Sequence, residues 1–507
     1  MASLNWIGKE AVVNHDKEVP FKLLKKVKTA SVGDNSQNLI IHGDNLEALK
    51  ALMPHYYGKI KCIYIDPPYN TGNEGWVYND KVNSPKIKQW LGRVVGRESE
   101  DLTRHDKWLC MMYPRLKLLR ELLADNGAIF VSIDDNEHCN LRGAMDEIFQ
   151  EKNFITTFIW KKKSTSTNVA GAQVSSLTDF IVCYGKSEKA KILPRVRAKE
   201  TREYPYKDKE GSYRLTIIEK KNAGDYKRDS MQFEIIGVKP RPGKRWQIGK
   251  ETADFLSKKK RFINDAGVIK LKIYDFEDKD TFSAQPNFLD NHGTTDTAAR
   301  MSAELFGEQE VFNNPKPVEL ISHLVNISCG DDALILDSFA GSGTTGHAVL
   351  DLNKEDGGTR QFIMVEMEDK VAKDITAERV KRAIKKYGYK DGFEYCELDK
   401  PLFNEHGQIE ETCDFRQFAT YIYFTETQTN IDPKKIDENF IGELETTEYY
   451  LLYKGKNKND LDKSFLKKIK DTDSKKVIYA DRCLIDDDTL ARHNIVFKQI
   501  PYEVKVY

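Results

Sequence analysis

Apolar positions along residues 39–185 recur with two different periods. NLIIHGD (38–44) and KCIYID (61–66) contain apolar runs of strand length, and the intervening NLEALKALMPHYYG (45–58) repeats its apolar residues at helical spacing. Strand, helix and strand in this order predict a βαβ unit whose two strands are parallel neighbours. WLCMMYPRLKLLRELLADNG (108–127) reads as a second helix stopped by Gly127. AIFVSIDD (128–135), FITTFIWKKK (154–163) and DFIVCYGKS (179–187) read as further strands, so residues 39–185 predict part of an α/β sheet.

The alternation returns after residue 296. NPKPVELISHLVNISCG (314–330) reads as a helix opened by proline, DALILDSFAGSGTTGHAVLDLN (332–353) as strand, glycine-rich turn and helix, and RQFIMVEMED (360–369) as another strand. Beyond Asp399 the pattern changes to separated β-rich runs, ATYIYFTE (419–426), EYYLLYKG (448–455), KVIYADRCLI (476–485) and NIVFKQIPYEVKVY (494–507), which predict a C-terminal α+β domain. The chain thus divides into an N-terminal arm (1–38), a first α/β half (39–185), an insert (186–295), a second α/β half (296–398) and the C-terminal domain (399–507).

Composition changes this picture in one place. The chain has 79 Lys plus Arg and 79 Asp plus Glu, so its total charge indicates no polyanionic partner. Between Lys186 and Asp280, however, 26 basic residues face 16 acidic ones, with aromatics interleaved as in KPRPGKRWQIGK. A solvated basic surface accounts for any one of these clusters. An excess confined to one insert fits a nucleic-acid face better, because Lys and Arg neutralise phosphates and aromatic rings stack on bases. The eight cysteines form no CxxC pair and have no histidine at zinc-ligand spacing, so no metal is expected. Scattered thiols, no signal-peptide pattern near the start and no apolar run approaching about 18 residues predict a cytoplasmic protein without a membrane segment.

Two short runs carry candidate chemistry. In DPPY, Pro67 and Pro68 end a strand because proline cannot donate to its ladder, and they leave Asp66 at the tip beside Tyr69. Alone, this reads most simply as a strand-to-loop turn. In FAGSGTTG, Gly341, Gly343 and Gly346 follow a strand and open a helix, and Glu366 ends the next strand 20 residues past the last glycine. Glycines allow close backbone approach to a ligand, and an acid at the second strand's tip can accept from ribose hydroxyls. No Lys-Ser or Lys-Thr pair follows the glycines, which argues against a P-loop. These residues alone leave a dinucleotide and S-adenosylmethionine equally open.

DPPYNTG and DSFAGSGTTG together resemble the paired signatures of amino-group DNA methyltransferases, in the arrangement where the catalytic motif precedes the cofactor motif. HGDNLEALKAL, FVSIDDNE, FIVCYGKS and NPKPVELI fit the same family, and LNWIGKEAVVNH and FKQIPYEV resemble modification subunits of Type III restriction-modification systems. The resemblance implies a Rossmann-like S-adenosylmethionine-dependent methyltransferase sheet permuted in sequence, with the insert as target-recognition domain. A dehydrogenase has no need of the DPPY strand end at the same sheet edge. The resemblance further implies methyl transfer to N6 of a flipped-out adenine, with Asp66, Pro67, Pro68 and Tyr69 as the catalytic run. Asp44, Asp337, Phe339, Gly341, Gly343, Glu366 and Lys316 are its expected cofactor-binding residues. Asp44 has a second reading as a helix cap, and Lys316 as a surface lysine at a helix start. Asp134 and Asp135 read as turn and cap residues, Tyr184 equally as pocket wall or core, and the lysines of WKKKST as contacts to the DNA backbone. The implied partners are double-stranded DNA, a second copy of the chain and a restriction subunit. A solitary or N4-cytosine methyltransferase is the nearest alternative, and a non-catalytic DNA-binding specificity subunit is the alternative of another class.

Overall fold

The computed structural model describes residues 4–501 apart from 34–35, 72–102, 167–172, 198–200, 404–408, 411–412, 432, 455–458 and 470–472. By contacts the chain forms two compact units, one of Met1–Ile192 with Pro286–Tyr507 and one of Leu193–Gln285.

The first unit is built on a ten-stranded sheet. Its order is Lys22–Lys26, Glu394–Pro401, Leu39–His42, Gln361–Glu366, Leu334–Asp337, Ile60–Ile65, Leu123–Ile133, Thr178–Gly185, Phe154–Lys161 and Phe288–Leu289. The six strands from Glu394–Pro401 to Leu123–Ile133 run parallel. Their residues are apolar on both sides because helices cover both faces. Ile41, Ile63 and Ile65 face the helices Asn45–Tyr56 and Arg104–Leu122. Ile40, Cys62 and Tyr64 face the helices Val318–Ser328, Thr344–Asp356 and Glu378–Tyr387.

This order corrects the predicted βαβ unit. Leu39–His42 and Ile60–Ile65 are parallel but not neighbours, since the two strands of the second half lie between them. A crossover helix about 10 Å wide spans two extra strand spacings of about 4.8 Å each, so the local pattern is the same whether or not a gap is left. The two halves send their crossover helices to opposite faces, which opens a crevice at the strands' carboxyl ends.

Two other expectations change. The second helix stops at Leu122, not at Gly127, which lies inside the following strand. The register there shifts between Ile60 and Cys62, and a Cβ on Gly127 would come within 2.8 Å of both the Ile60 carbonyl oxygen and the Leu123 side chain. The glycine therefore serves strand packing. ATYIYFTE lies in the helix Phe415–Thr427, although its Thr, Tyr, Ile and Phe favour strands. A capping box between Asp414 and Gln417 starts this helix, and Phe418, Ala419, Ile422 and Tyr423 form one buried stripe. It packs with the strands Phe440–Leu444, Thr447–Leu451, Lys475–Ala480 and Ile495–Gln499, which form a separate four-stranded sheet. Residues 502–507 of the last predicted run lie outside the described residues. Among the described residues, no helix is long and apolar enough to cross a membrane.

The second unit has its own core around Trp246, Ile218, Ile235, Phe262, Ile269 and Leu271, beneath a four-stranded antiparallel sheet.

Candidate active site

Four consecutive parallel strands end in acids. Asp44 follows Leu39–His42, Glu366 closes its strand, Asp337 closes Leu334–Asp337, and Asp66 follows Ile60–Ile65. All four therefore stand at one edge of the sheet. Asp337 is buried, and it accepts from the Phe339 amide (3.0 Å) and from the Thr345 hydroxyl (2.5 Å). Burial pushes its carboxyl up to about 7 against these bonds, with the charges of Asp66 and Glu366 adding to the effect.

Glu366 braces the glycine turn. One oxygen accepts from the Gly341 amide at 3.0 Å and the other from the Glu368 amide at 2.9 Å. The turn begins with the Ala340 amide donating to Val365, and Gly343 then caps the helix Thr344–Asp356. Gly341 and Gly343 have φ of 51° and 77°, the left-handed region that other residues enter at a cost. Phe339 is half-buried beside them. Asp44 does cap the helix Asn45–Tyr56, through one oxygen that accepts from the amides of Leu46 (2.9 Å) and Glu47 (3.3 Å). Its other oxygen lies 3.4 Å from Arg115.

The DPPY run is fixed from behind. The Trp108 indole donates to the Pro68 carbonyl at 2.7 Å, and Asn70, with φ of 56°, accepts from Arg104 through its own carbonyl at 3.1 Å. Pro67, Pro68 and Tyr69 are buried. Lys316 pairs with one oxygen of Asp66, and its ammonium lies 5.2 Å from the centre of the Tyr69 ring and 5.9 Å from that of Trp160. At 7% exposure it is no surface lysine. The other Asp66 oxygen and the Tyr69 hydroxyl are buried with no hydrogen-bond partner among the described residues. A native fold rarely leaves such atoms unsatisfied away from a functional site. Burial and the adjacent Asp66 push the Tyr69 phenol well above its ordinary range.

Several residues that hold this site carry no motif. Lys316 belongs to both halves of it, because its carbonyl accepts from Thr344 at 3.1 Å in the glycine turn. Arg379 is fully buried and donates one nitrogen to Ser342 and Thr344, both at 2.9 Å, and burial brings its pKa down to about 10. Thr376 donates to the Gly341 carbonyl at 2.6 Å. Arg115 donates to Asn45 at 2.5 Å, and Asn45 donates to the Ser338 carbonyl at 3.1 Å. Asp179 lies near Lys316 and is paired with Lys162 at 2.6 Å, so Lys162 is engaged inside the protein. Asp134 binds Asn136 in a turn, and Tyr184 is a core residue whose hydroxyl donates to Asp146 at 2.5 Å.

Strand-end acids at one edge of a parallel sheet, a glycine turn and a proline-stiffened carboxylate stand in a chain that matches the DNA methylase family. The profile of that family, covering N6 and N4 methyltransferases, matches residues 60–378, and the chain belongs to it. The chain is 34% identical over 375 residues to the Type III restriction-modification enzyme StyLTI Mod subunit of Salmonella typhimurium, an alignment covering 69% of this chain and 55% of that one. It is 30% identical over 501 residues to the EcoP15I Mod subunit of Escherichia coli, covering 84% and 75%. It is also 31% identical over 398 residues to the Type II methyltransferase M.KpnI of Klebsiella pneumoniae, covering 73% and 87%. The chain thus spans little more than half the length of the StyLTI subunit.

Proposed function

We propose that the protein is a site-specific DNA methyltransferase that moves a methyl group from S-adenosylmethionine to the N6 amino group of adenine, as the modification subunit of a Type III system. The observation that carries this is the half-buried Asp66 carboxylate beside Tyr69, one oxygen on Lys316 and the other shielded from solvent with no hydrogen-bond partner among the described residues, at the end of the strand next to the one that leads into the glycine turn. In this reading double-stranded DNA is the substrate, the chain acts as a homodimer, and a separate restriction subunit performs any cleavage. The similarity to the Type II methyltransferase M.KpnI favours one second reading, a methyltransferase outside a Type III system.

The residues fit the cofactor. Asp66, Asp337 and Glu366 bring three carboxyl groups together, Lys316 pairs with Asp66, and the Ser338 hydroxyl is buried without a partner among the described residues. A cationic nucleoside answers all of these. S-adenosylmethionine, when bound, supplies a methyl group activated by positive sulfur. Asp337 would hold its ammonium, the Gly341–Gly343 backbone and Phe339 its walls, Glu366 its ribose and Asp44 its adenine amine.

The chain's own part is to make an aromatic amine nucleophilic. The lone pair of that nitrogen is delocalised into the ring, and the free Asp66 oxygen with the Pro67 carbonyl would accept its two N–H bonds and favour a pyramidal nitrogen. Lys316 positions the carboxylate through its other oxygen. Extruding the base costs a few kcal/mol, and stacking on Tyr69 returns part of it. Radiolabelled methyl transfer tests the proposal, which fails if DNA is bound specifically but never labelled.

Cofactor affinity in this arrangement depends on Asp337, which is protonated below about pH 7 in the free protein. A cationic ligand favours the ionised form, so binding releases a proton, weakens about tenfold per unit as pH falls below 7, and levels off above it. Calorimetry in buffers of different ionisation enthalpy checks this, and Asp337→Asn should flatten the profile. Lys316→Met should lower single-turnover methylation about 10²-fold, with the cofactor dissociation constant within about threefold and partial recovery in Lys316→Arg. An equal loss of cofactor binding would place Lys316 with the cofactor instead.

A further inference from the structure

The unit Leu193–Gln285 holds 23 of the chain's 79 basic residues and 15 of its 79 acidic ones, which leaves the remainder of the chain acidic, 56 against 64. Within it the excess is concentrated in residues 220–250, with nine basic residues to three acidic ones. This segment closes on a two-stranded antiparallel ribbon, Glu219–Lys221 against Lys244–Trp246. The register sets Lys220 opposite Arg245 and Lys221 opposite Lys244. Like charges directly opposite in a ladder oppose its formation. Among the described residues no ion pair relieves them: Lys220, Lys221 and Lys244 have none, and the exposed Asp225 of the same segment forms none with them. Of the acids at hand, Glu219 is taken by Arg241 (2.7 Å), Asp229 by Lys227 (3.4 Å) and Glu234 by Lys239 (4.0 Å).

The ribbon has a firm base. Trp246 is fully buried in the unit's core, and its indole donates to the Phe233 carbonyl at 2.7 Å. Arg245 is folded under, donating to the Trp246 carbonyl at 3.1 Å. Lys220 and Lys221 are exposed, and Lys244 is half-buried between its neighbours. The result is a rigid strand pair that presents unpaired ammonium groups. Lysines are point charges on flexible stems and suit phosphates rather than base edges, and a two-stranded ribbon is narrow enough to follow the major groove of B-DNA.

We infer that this ribbon is the element through which the insert holds the phosphate backbone of duplex DNA, with Lys220, Lys221 and Lys244 as phosphate contacts that position the protein without reading sequence. The inference rests on the DNA methyltransferase reading above and names where the insert grips its substrate.

The full chain is titrated by fluorescence anisotropy onto a duplex that carries its methylation site and onto a scrambled duplex, over a range of salt concentrations. Replacing all three lysines by glutamine (K220Q, K221Q, K244Q) should weaken both duplexes to the same extent. It should also make the slope of log K against log salt shallower by about 2.7, or about 0.9 for each phosphate no longer neutralised. Lys221→Glu separates binding from folding, since it sets an acid opposite Lys244. Its unfolding midpoint should rise while its DNA affinity falls. An unchanged salt slope, a weakening restricted to the cognate duplex, or a Lys221→Glu protein that is less stable or binds as before would each overturn the inference. Wild-type protein that binds neither duplex would instead defeat the methyltransferase reading on which it rests.

Discussion

Asp66→Asn is expected to reduce methyl transfer by about 10³-fold or more, equivalent to about 4 kcal/mol of transition-state stabilisation, while cofactor binding stays within a few-fold of wild type. The substitution keeps the size of the side chain but removes the charge. The carboxylate oxygen that has no partner is the one available to the amine, and its neighbour holds Lys316. An amide oxygen can still accept one hydrogen bond, but it cannot balance the positive charge that develops on nitrogen. It also leaves the Lys316 ammonium buried against Tyr69 and Trp160 without its counter-ion, which costs stability. The double variant Asp66→Asn with Lys316→Met should therefore regain stability but not activity. Single-turnover kinetics with calorimetric cofactor titration and denaturant unfolding separate these effects.

Gly343→Ala should be the most damaging single substitution on the cofactor side. The residue has φ of 77°, and an added Cβ would lie 2.8 Å from the Thr376 carbonyl oxygen and 3.3 Å from that residue's Cα. The left-handed backbone costs an alanine about 1 kcal/mol, and forcing apart packed backbone adds about 1–3 kcal/mol, so unfolding stability should fall by about 2–4 kcal/mol. Displacing Thr376 also disturbs the hydroxyl that holds the Gly341 carbonyl, so S-adenosylmethionine affinity should fall more than tenfold. Gly357 is the control. It has φ of 76° with nothing within 4 Å of its Cβ position, so alanine there should cost only the backbone term and leave cofactor binding unchanged. Similar effects from the two substitutions would show that the approach of Gly343 to Thr376 is unimportant.

The parts of the site readable from sequence are those whose chemistry is written locally. DPPY needs its four residues side by side, and the glycine turn needs its glycines at fixed steps between a strand and a helix. Both stand where that logic puts them, at the carboxyl ends of adjacent strands. The supporting residues are different in kind. Trp108 reaches Pro68 across 40 positions, Arg115 reaches Asn45 across 70, and Arg379 reaches Ser342 from a helix whose pattern already explains an arginine as a surface residue. Each is defined only by a partner that folding brings to it. Lys316 shows the same limit, because NPKP places it at a helix start but does not tell that its ammonium meets Asp66 from 250 positions away.

Local pattern also misled where tertiary context chose between equal alternatives. A strand-helix-strand run reads the same whether its strands touch or admit two others between them, and here they admit the strands of the second half. ATYIYFTE has the composition of a strand, but the Asp414–Gln417 capping box upstream and a stripe of buried side chains make it a helix. By sequence the three lysines after Trp160 share one reading as contacts to the DNA backbone, whereas in the fold Lys162 is paired with Asp179.

Activation of an adenine amine by Asp66 is the step on which the proposed function depends. The most direct measurement supplies the full chain with isotopically labelled S-adenosylmethionine and duplex DNA, digests the product to nucleosides and identifies the labelled species by mass spectrometry, for wild type and Asp66→Asn in parallel. The expected result is labelled N6-methyladenine with wild type and none above background with Asp66→Asn. Label on the N4 position of cytosine, label with Asp66→Asn at the wild-type rate, or no label from a wild-type protein that binds both DNA and cofactor would contradict it.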